Sequence, residues 1–297
     1  MFEIPEIVRT KATVHGADAW LSDVPDLVTE LAAAWHLTVG AALPGGTEAL
    51  VLEVTQRDGA QAVLKLLVPR PGDHAEREAR VLGLVGGDGC AELYHHDVDR
   101  HALLLERLGP SLFDLQLPFE KRLPILCDAA RRVWRPASAD GFMTGAAKAR
   151  WLIDFITTTW ADLDQPCSEA AVDHAVDAAE RRAAAHDDDR AVLVHGDVHQ
   201  WNTLQTDAGY KLIDPDGLWA EAEYDLGILM REDPIELMQG DPMDRAHWLA
   251  HRTGCDSAAI WEWGVAERLS TGLLATRIGL QPEGRQMLAA SDTIAGV

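Results

Sequence analysis

The sequence predicts an α+β chain of two lobes, a small lobe built on an antiparallel sheet followed by a larger, mostly helical one. Three observations predict it. Short β-type apolar runs crowd into the first 108 positions, helical periodicity takes over afterwards, and Leu108-Gly109-Pro110-Ser111 breaks the pattern between them. The lobes are therefore expected over 1–108 and 109–297. At 297 residues and 47% hydrophobic content the chain can bury one large core or two modest ones, which excludes a disordered or fibrous protein.

Taken in order, Asp18 to Trp35 carries Trp20, Val24, Leu27, Val28, Leu31 and Trp35 at helical spacing, with Pro25 near its start. Three β-like runs follow, Leu37 to Leu43, Ala49 to Thr55 and Ala62 to Val68. Pro44-Gly45-Gly46-Thr47 and Arg57-Asp58-Gly59 separate them, so they read as an antiparallel meander. His74 to Leu84 reads as a helix ending near Gly86-Gly87, and Ala91 to His96 with Ala102 to Glu106 as a further strand pair. Beyond the break, Phe119 to Trp134, Ala147 to Asp162 and Glu169 to Ala185 have helical periodicity. A β island is expected at Ala191 to His195, Asn202 to Gln205 and Tyr210 to Ile213, with a hairpin turn at Thr206-Asp207-Ala208-Gly209.

Charge narrows the partners. Against 26 Lys+Arg stand 48 Asp+Glu, a formal net charge of -22, so the field of the chain attracts cations and repels polyanions, and nucleic acid is not expected as a partner. An acidic surface also serves solubility. Cys90, Cys127, Cys167 and Cys255 are scattered and signal neither a zinc site nor a disulfide framework. The N-terminus lacks the basic start and apolar stretch of a secretory signal, and no segment is apolar for the length a bilayer requires. A soluble cytoplasmic protein without membrane partners, monomeric or homodimeric, is expected.

The chemistry concentrates in His195-Gly196-Asp197-Val198-His199-Gln200-Trp201-Asn202, followed by Ile213-Asp214-Pro215-Asp216-Gly217. An Asp on a strand-end loop with an Asn five positions later can hold a carboxylate at a reacting hydroxyl while the amide turns to a metal. Asp214, at the end of the next strand, would return to the same place. The bland alternative is an ordinary hairpin with capping carboxylates. His195 and His199 could be misread as a zinc pair, but Gly196 argues against a helix there and no third ligand is signalled.

This H-G-D-x-x-x-x-N segment followed by I-D-P resembles the motif of aminoglycoside phosphotransferases and parallels the H-R-D and D-F-G elements of protein kinases. The resemblance implies a bilobal protein-kinase-like fold. It implies Asp197 as catalytic base or acceptor-orienting group, Asn202 and Asp214 as magnesium ligands, and His195 as a support of the loop. Ala62-Val63-Leu64-Lys65-Leu66 resembles the kinase V-A-I-K strand, which implies Lys65 on the phosphates of ATP or GTP. Glu78 would be its ion-pair partner, with Glu76 the competing choice. Gly45 and Gly46 lie where kinases cover the triphosphate with a glycine-rich turn, although Gly-Gly is also a common hairpin turn. Leu104-Leu105-Glu106-Arg107-Leu108-Gly109 resembles the hinge, with backbone groups of Glu106 and Leu108 on the adenine and the nucleotide between the lobes. Glu223-Tyr224-Asp225-Leu226-Gly227 resembles the acidic helix start that braces the catalytic loop. No Walker-A sequence appears, and only a short stretch separates Asp214 from Tyr224, where a protein kinase needs a long activation segment.

The branch resembled is that of streptomycin 6-kinase and hydroxyurea phosphotransferase, so the expected partner is a small cationic acceptor. Its binding groups are expected among Glu232, Asp233, Glu236, Asp241, Asp244 and Glu262 beside Trp248, Trp261 and Trp263. Two alternatives stay open on sequence: a housekeeping kinase for an amino sugar, a choline-like amine or another metabolite, and a pseudokinase that binds without turnover.

Overall fold

A computed structural model describes residues 2–136 and 140–296. The chain divides into two compact units, the first ending at Gly109 and the second beginning at Pro110.

In the first unit, α1 (Glu6–Val14) and α2 (Asp18–Ala34) precede β1 (Thr38–Ala42), β2 (Ala49–Thr55) and β3 (Gln61–Leu67). Then come α3 (His74–Val85), β4 (Leu93–Asp97) and β5 (Ala102–Glu106). The strands form one antiparallel sheet in the order β1-β2-β3-β5-β4. Strand period decides what faces where. Ala62, Leu64 and Leu66 of β3 join Leu50, Leu52 and Val54 of β2 in a core against Val24, Val28 and Leu31 of α2. Lys65 belongs to the other face of β3. Helix α1 buries only Val8 and Ala12, a pair too brief to announce a helix by periodicity, and is fixed by Lys11, whose ammonium lies 2.6 Å from Glu48.

The second unit runs α4 (Phe119–Val133), β6 (Met143–Thr144), α5 (Gly145–Asp162), α6 (Glu169–Ala185) and β7 (Val192–Val194). The hairpin β8 (Thr203–Thr206) and β9 (Gly209–Leu212) follows, then β10 (Leu218–Ala220), α7 (Glu223–Arg231), α8 (Pro234–Leu237), α9 (Pro242–Thr253), α10 (Ser257–Arg277) and α11 (Glu283–Ile294). Side-chain caps start several of these helices: Thr144 accepts from the Ala147 N–H, Ser168 from Ala171, Asp241 from Met243 and Asp256 from Ala258. No helix among the described residues is long and apolar enough to cross a membrane.

The expected β island is two structures. Strand β7 pairs with β10, which pairs with β6, while β8 and β9 form their own two-stranded hairpin with Thr206 opposite Gly209. Strands of two or three residues such as β6 and β10 carry no period of their own, so their pairing is set by the fold around them.

Helix α10 is the axis of this unit, with Ile260, Trp263, Ala266, Leu269 and Leu273 buried around its circumference. It crosses α7 at a pair of glycines. A Cβ on Gly227 would lie 2.3 Å from the Trp263 Cβ, and one on Gly264 would lie 2.4 Å from the Met230 Cβ. Gly227→Ala is therefore expected to cost about 3 kcal/mol of unfolding free energy by overpacking, measured by denaturant titration. A loss below about 0.5 kcal/mol would show that the crossing relaxes freely.

Candidate active site

The loop between β7 and β8 starts at a residue that cannot be other than glycine without strain. Gly196 has φ 89°, and a Cβ there would meet the Asp216 Cβ at 3.0 Å. The turn ends the buried strand and throws the next side chain, Asp197, outward, where about a third of it is exposed. Three donors hold that carboxylate. Arg231 Nη2 reaches Oδ1 at 3.0 Å, while His199 Nε2 at 3.1 Å and Asn202 Nδ2 at 3.2 Å reach Oδ2. Burial alone would raise the Asp197 carboxyl. The charges and hydrogen bonds of His199 and Arg231 outweigh it and hold the group well below the ordinary carboxylate range.

Both histidines have their tautomers set by neighbours. His195 is fully buried, accepts the Asp197 N–H on Nδ1 at 3.2 Å and donates from Nε2 to the Ile213 carbonyl at 3.0 Å. That is the neutral Nε2–H form, and burial lowers its pKa to about 4. His195 thus ties the Asp197 backbone to the residue preceding Asp214, with no ring nitrogen left for a metal. His199 donates from Nε2 to Asp197 and accepts the Asn202 N–H on Nδ1 at 3.2 Å. Burial opposes its protonation, but the Asp197 and Glu232 carboxylates draw it upward overall, and the imidazolium would forfeit the Asn202 contact.

Asp225, in the first turn of α7, anchors the loop from beneath. Its Oδ2 accepts the His195 N–H at 3.0 Å and the Trp134 Nε1–H at 2.9 Å, and its Oδ1 accepts the Gly196 N–H at 2.8 Å. These donors favour the carboxylate, yet full burial, aided by the Asp197 charge, pushes its pKa up to about 6. A carboxyl raised by folding stabilises the fold most below the unfolded value near 4, and that contribution is lost as pH rises through about 6. The stability of the wild type relative to Asp225→Asn is therefore expected to fall by on the order of 2 to 3 kcal/mol between pH 4 and pH 7, measured by denaturant unfolding. A flat difference across that window would refute the shift.

Arg231, at the far end of α7, had no signal in the motif. Its guanidinium connects Asp197 to Glu267 of α10 at 3.7 Å and lies 3.6 Å from Glu232. Glu267 also accepts from the Tyr224 hydroxyl at 2.5 Å and sits 3.5 Å from Lys148 of α5. These charges, Glu232 and Glu267 buried and the others partly so, join the loop to two helices distant in sequence. On the other side of the loop, Arg122 of α4 donates to the Gln200 side chain and, at 3.0 Å, to Asp233.

Asn202 gives Nδ2 to both the Asp197 carbonyl and Oδ2, which leaves its Oδ1 as the side-chain atom able to ligate a cation. Its own backbone carbonyl accepts the Ile213 N–H at 2.9 Å, and Asp214 follows at φ 58°, a strained value for a residue other than glycine. This backbone bond sets Asp214 next to the partner of Asn202, and an amide oxygen with a carboxylate is a donor pair that would suit a hard cation such as magnesium, which keeps several waters.

In the first unit, Lys65 Nζ donates to both Glu78 oxygens, at 2.6 and 2.7 Å, and both residues are buried. Gly45 takes φ 99°, and a Cβ on Gly46 would lie 2.6 Å from the Ala49 carbonyl oxygen, so the turn needs both glycines for its own geometry. The Glu106 N–H donates to the Glu92 carbonyl, and the Leu108 carbonyl accepts from the Arg107 guanidinium. The Leu108 N–H has no partner among the described residues. The expected acceptor groups divide. Glu262 is held by Arg181 and Arg182, and Trp263 is buried with Nε1 on Glu221 at 2.7 Å, so both are architecture. Glu236, Asp241, Asp244 and Trp248 line a cavity of about 330 Å³ with Phe119 and Arg245.

The family model described as aminoglycoside/hydroxyurea antibiotic resistance kinase matches residues 34–276. Streptomycin 6-kinase of Streptomyces glaucescens is 40% identical over 116 residues, covering 37% of this chain and 36% of that protein. Hydroxyurea phosphotransferase of Kitasatospora aureofaciens is 38% identical over 109 residues, 36% of this chain and 32% of its own. The matched segments thus span about a third of the curated relatives. A thermostable mutant of aminoglycoside phosphotransferase APH(4)-Ia, solved in a ternary complex with ADP and hygromycin B, superposes with TM-score 0.65 at 17% identity, over 90% of this chain and 97% of that one. Choline kinase LicA from Streptococcus pneumoniae gives 0.57 at 13% identity, over 91% and 98%. At these identities the superpositions establish the kinase-like fold.

Proposed function

Because the chain belongs to the aminoglycoside/hydroxyurea antibiotic resistance kinase family, we propose that it transfers the γ-phosphoryl group of ATP or GTP to a hydroxyl of a cationic small molecule, an aminoglycoside such as streptomycin. The observation that carries this reading is the Asp197 carboxylate. Oδ2 is taken by His199 and Asn202, whereas Oδ1, among the described residues, accepts from Arg231 alone and keeps a lone pair for an acceptor hydroxyl. With its pKa so depressed, Asp197 orients the O–H for in-line attack and does not store its proton. Positioning and charge neutralisation then supply most of the rate.

The other roles follow from the same reading. Lys65, oriented by Glu78, binds the phosphates. The turn at Gly45 and Gly46 covers them, the Leu108 N–H and the Glu106 backbone recognise the base, and Asn202 with Asp214 hold magnesium. When bound, magnesium neutralises the phosphate oxygens. Support for an aminoglycoside acceptor comes from the family and from the net charge of -22.

The test is magnesium-dependent consumption of ATP and GTP with streptomycin, hygromycin B, hydroxyurea and choline as acceptors. Turnover with streptomycin, and phosphate recovered on it by mass spectrometry, is the expected result. Turnover with choline alone would replace the reading by a metabolic kinase, and nucleotide binding without turnover on any acceptor would replace it by a pseudokinase.

A further inference from the structure

Beside the Asp197 carboxylate lies a pair of aromatic rings to which nothing above assigns a task. Trp201, in the same loop, is 50% exposed, and Phe113 is 40% exposed. Large aromatic rings bury most of their surface unless something uses them, so two exposed rings in contact call for a reason. They stack on each other, centroids 5.0 Å apart at 25°, and the Trp201 ring meets the edge of His199 at 5.7 Å and 70°. His199 in turn holds Asp197, so the platform stands one residue from the carboxylate.

Both rings are fixed before any ligand arrives. The Phe113 N–H donates to the Gln200 carbonyl at 3.1 Å, and the Leu112 N–H to Thr203 at 2.7 Å, so residues 112 and 113 run alongside the catalytic loop. Gln200 is itself held by Arg122. A ligand stacking here does not have to order the surface it lands on.

The chemistry of the ligand is indicated by contrast. Among the described residues the exposed tryptophans are Trp151, Trp201 and Trp248. Lys148 Nζ sits 4.4 Å from the centre of the Trp151 ring, and the Arg252 guanidinium 5.5 Å from that of Trp248. Among the described residues no cation lies over Trp201. The carboxylate nearest to it through His199 is that of Asp197, which Arg231 also pairs. An electron-rich face without a cation in a negatively charged chain is a site for a flat cation.

We propose that Trp201, backed by Phe113, is the stacking platform for a guanidinium or ammonium group of the acceptor, placing its hydroxyl at Asp197 Oδ1. The proposal rests on the kinase reading for the identity of the acceptor, but not for the presence of a cation site. The test uses the full chain, with streptomycin and, as a small aliphatic dication bearing one guanidinium and one ammonium group, agmatine. Binding is followed by calorimetry and by tryptophan fluorescence for the wild type, Trp201→Ala, Trp201→Phe and Phe113→Ala. Thermal midpoints and ADP affinity report whether each variant folds.

Streptomycin affinity is expected to fall roughly tenfold in Trp201→Ala and less than threefold in Trp201→Phe. Agmatine should quench fluorescence in the wild type more than in Trp201→Phe. If folded Trp201→Ala binds streptomycin as tightly as the wild type, the platform is overturned and the kinase reading stands. If the wild type binds no aminoglycoside yet agmatine quenches through Trp201, the acceptor assignment falls and the cation site remains. Absence of Trp201-dependent quenching by either compound overturns the site.

Discussion

Replacing Asp197 by asparagine is expected to lower kcat roughly a thousandfold. The argument rests on the number of acceptors. The carboxylate receives three donors on two oxygens, and an amide offers only one oxygen. Whichever way the amide is turned, its NH2 group faces either the Arg231 guanidinium or the N–H groups of His199 and Asn202. On the proposed reading, the variant therefore loses both the charge and the alignment that would direct the acceptor hydroxyl. Its stability should fall by only about 1 to 3 kcal/mol, since Arg231 keeps Glu232 and Glu267 as neighbours. Steady-state kinetics beside chemical denaturation separates the two effects. A kcat within tenfold of the wild type, in a variant that folds, would remove Asp197 from the mechanism.

The second large effect is expected at Lys65. Changing it to methionine keeps most of the volume and removes the ammonium that donates to both Glu78 oxygens. Breaking a buried ion pair on one side costs about 3 to 5 kcal/mol, and exchanging both partners for apolar residues costs far less. Lys65→Met should therefore be strongly destabilised, and the double variant Lys65→Met, Glu78→Leu should regain much of that loss. Activity behaves differently. If the ammonium acts on the nucleotide phosphates, kcat/KM for the nucleotide falls at least a hundredfold in both variants, about 3 kcal/mol of transition-state stabilisation. A double variant with restored activity would reduce the pair to architecture.

Local sequence carried much of this protein, and the reasons for what it missed are physical. Strand β2, strand β5 and helix α6 have the bounds their periodicity indicates, because each is long enough to present one face repeatedly to a core. The loop from His195 to Asn202 was legible because its partners are close in sequence: His199 and Asn202 lie within five residues of Asp197. Arg231 and Glu267 were not, since nothing local distinguishes an Arg at the end of α7 or a Glu within apolar α10 until the two helices are packed. Packing against α6 and against Glu221 likewise took Glu262 and Trp263 into the architecture rather than the expected acceptor site. An acidic residue beside tryptophans reads alike in sequence whether it faces solvent or, like Glu262, answers Arg181 and Arg182.

The glycine crossing of α7 and α10 sets the terms on which this scaffold can be redesigned. Asp225 and Arg231 sit at the two ends of α7, and Glu267 lies one turn beyond Trp263, the residue whose Cβ fills the space over Gly227. Any side chain added at the crossing would displace the loop anchor and the arginine together. A mutagenesis library seeking new acceptors therefore has a frozen part, Gly227 and Gly264 with the charges they align. On the proposed reading its permissive part holds Phe113, Trp201 and the exposed cavity-wall positions Glu236, Asp244 and Trp248, whereas buried Arg245, which donates to the Leu229 and Glu232 carbonyls, belongs with the frozen part.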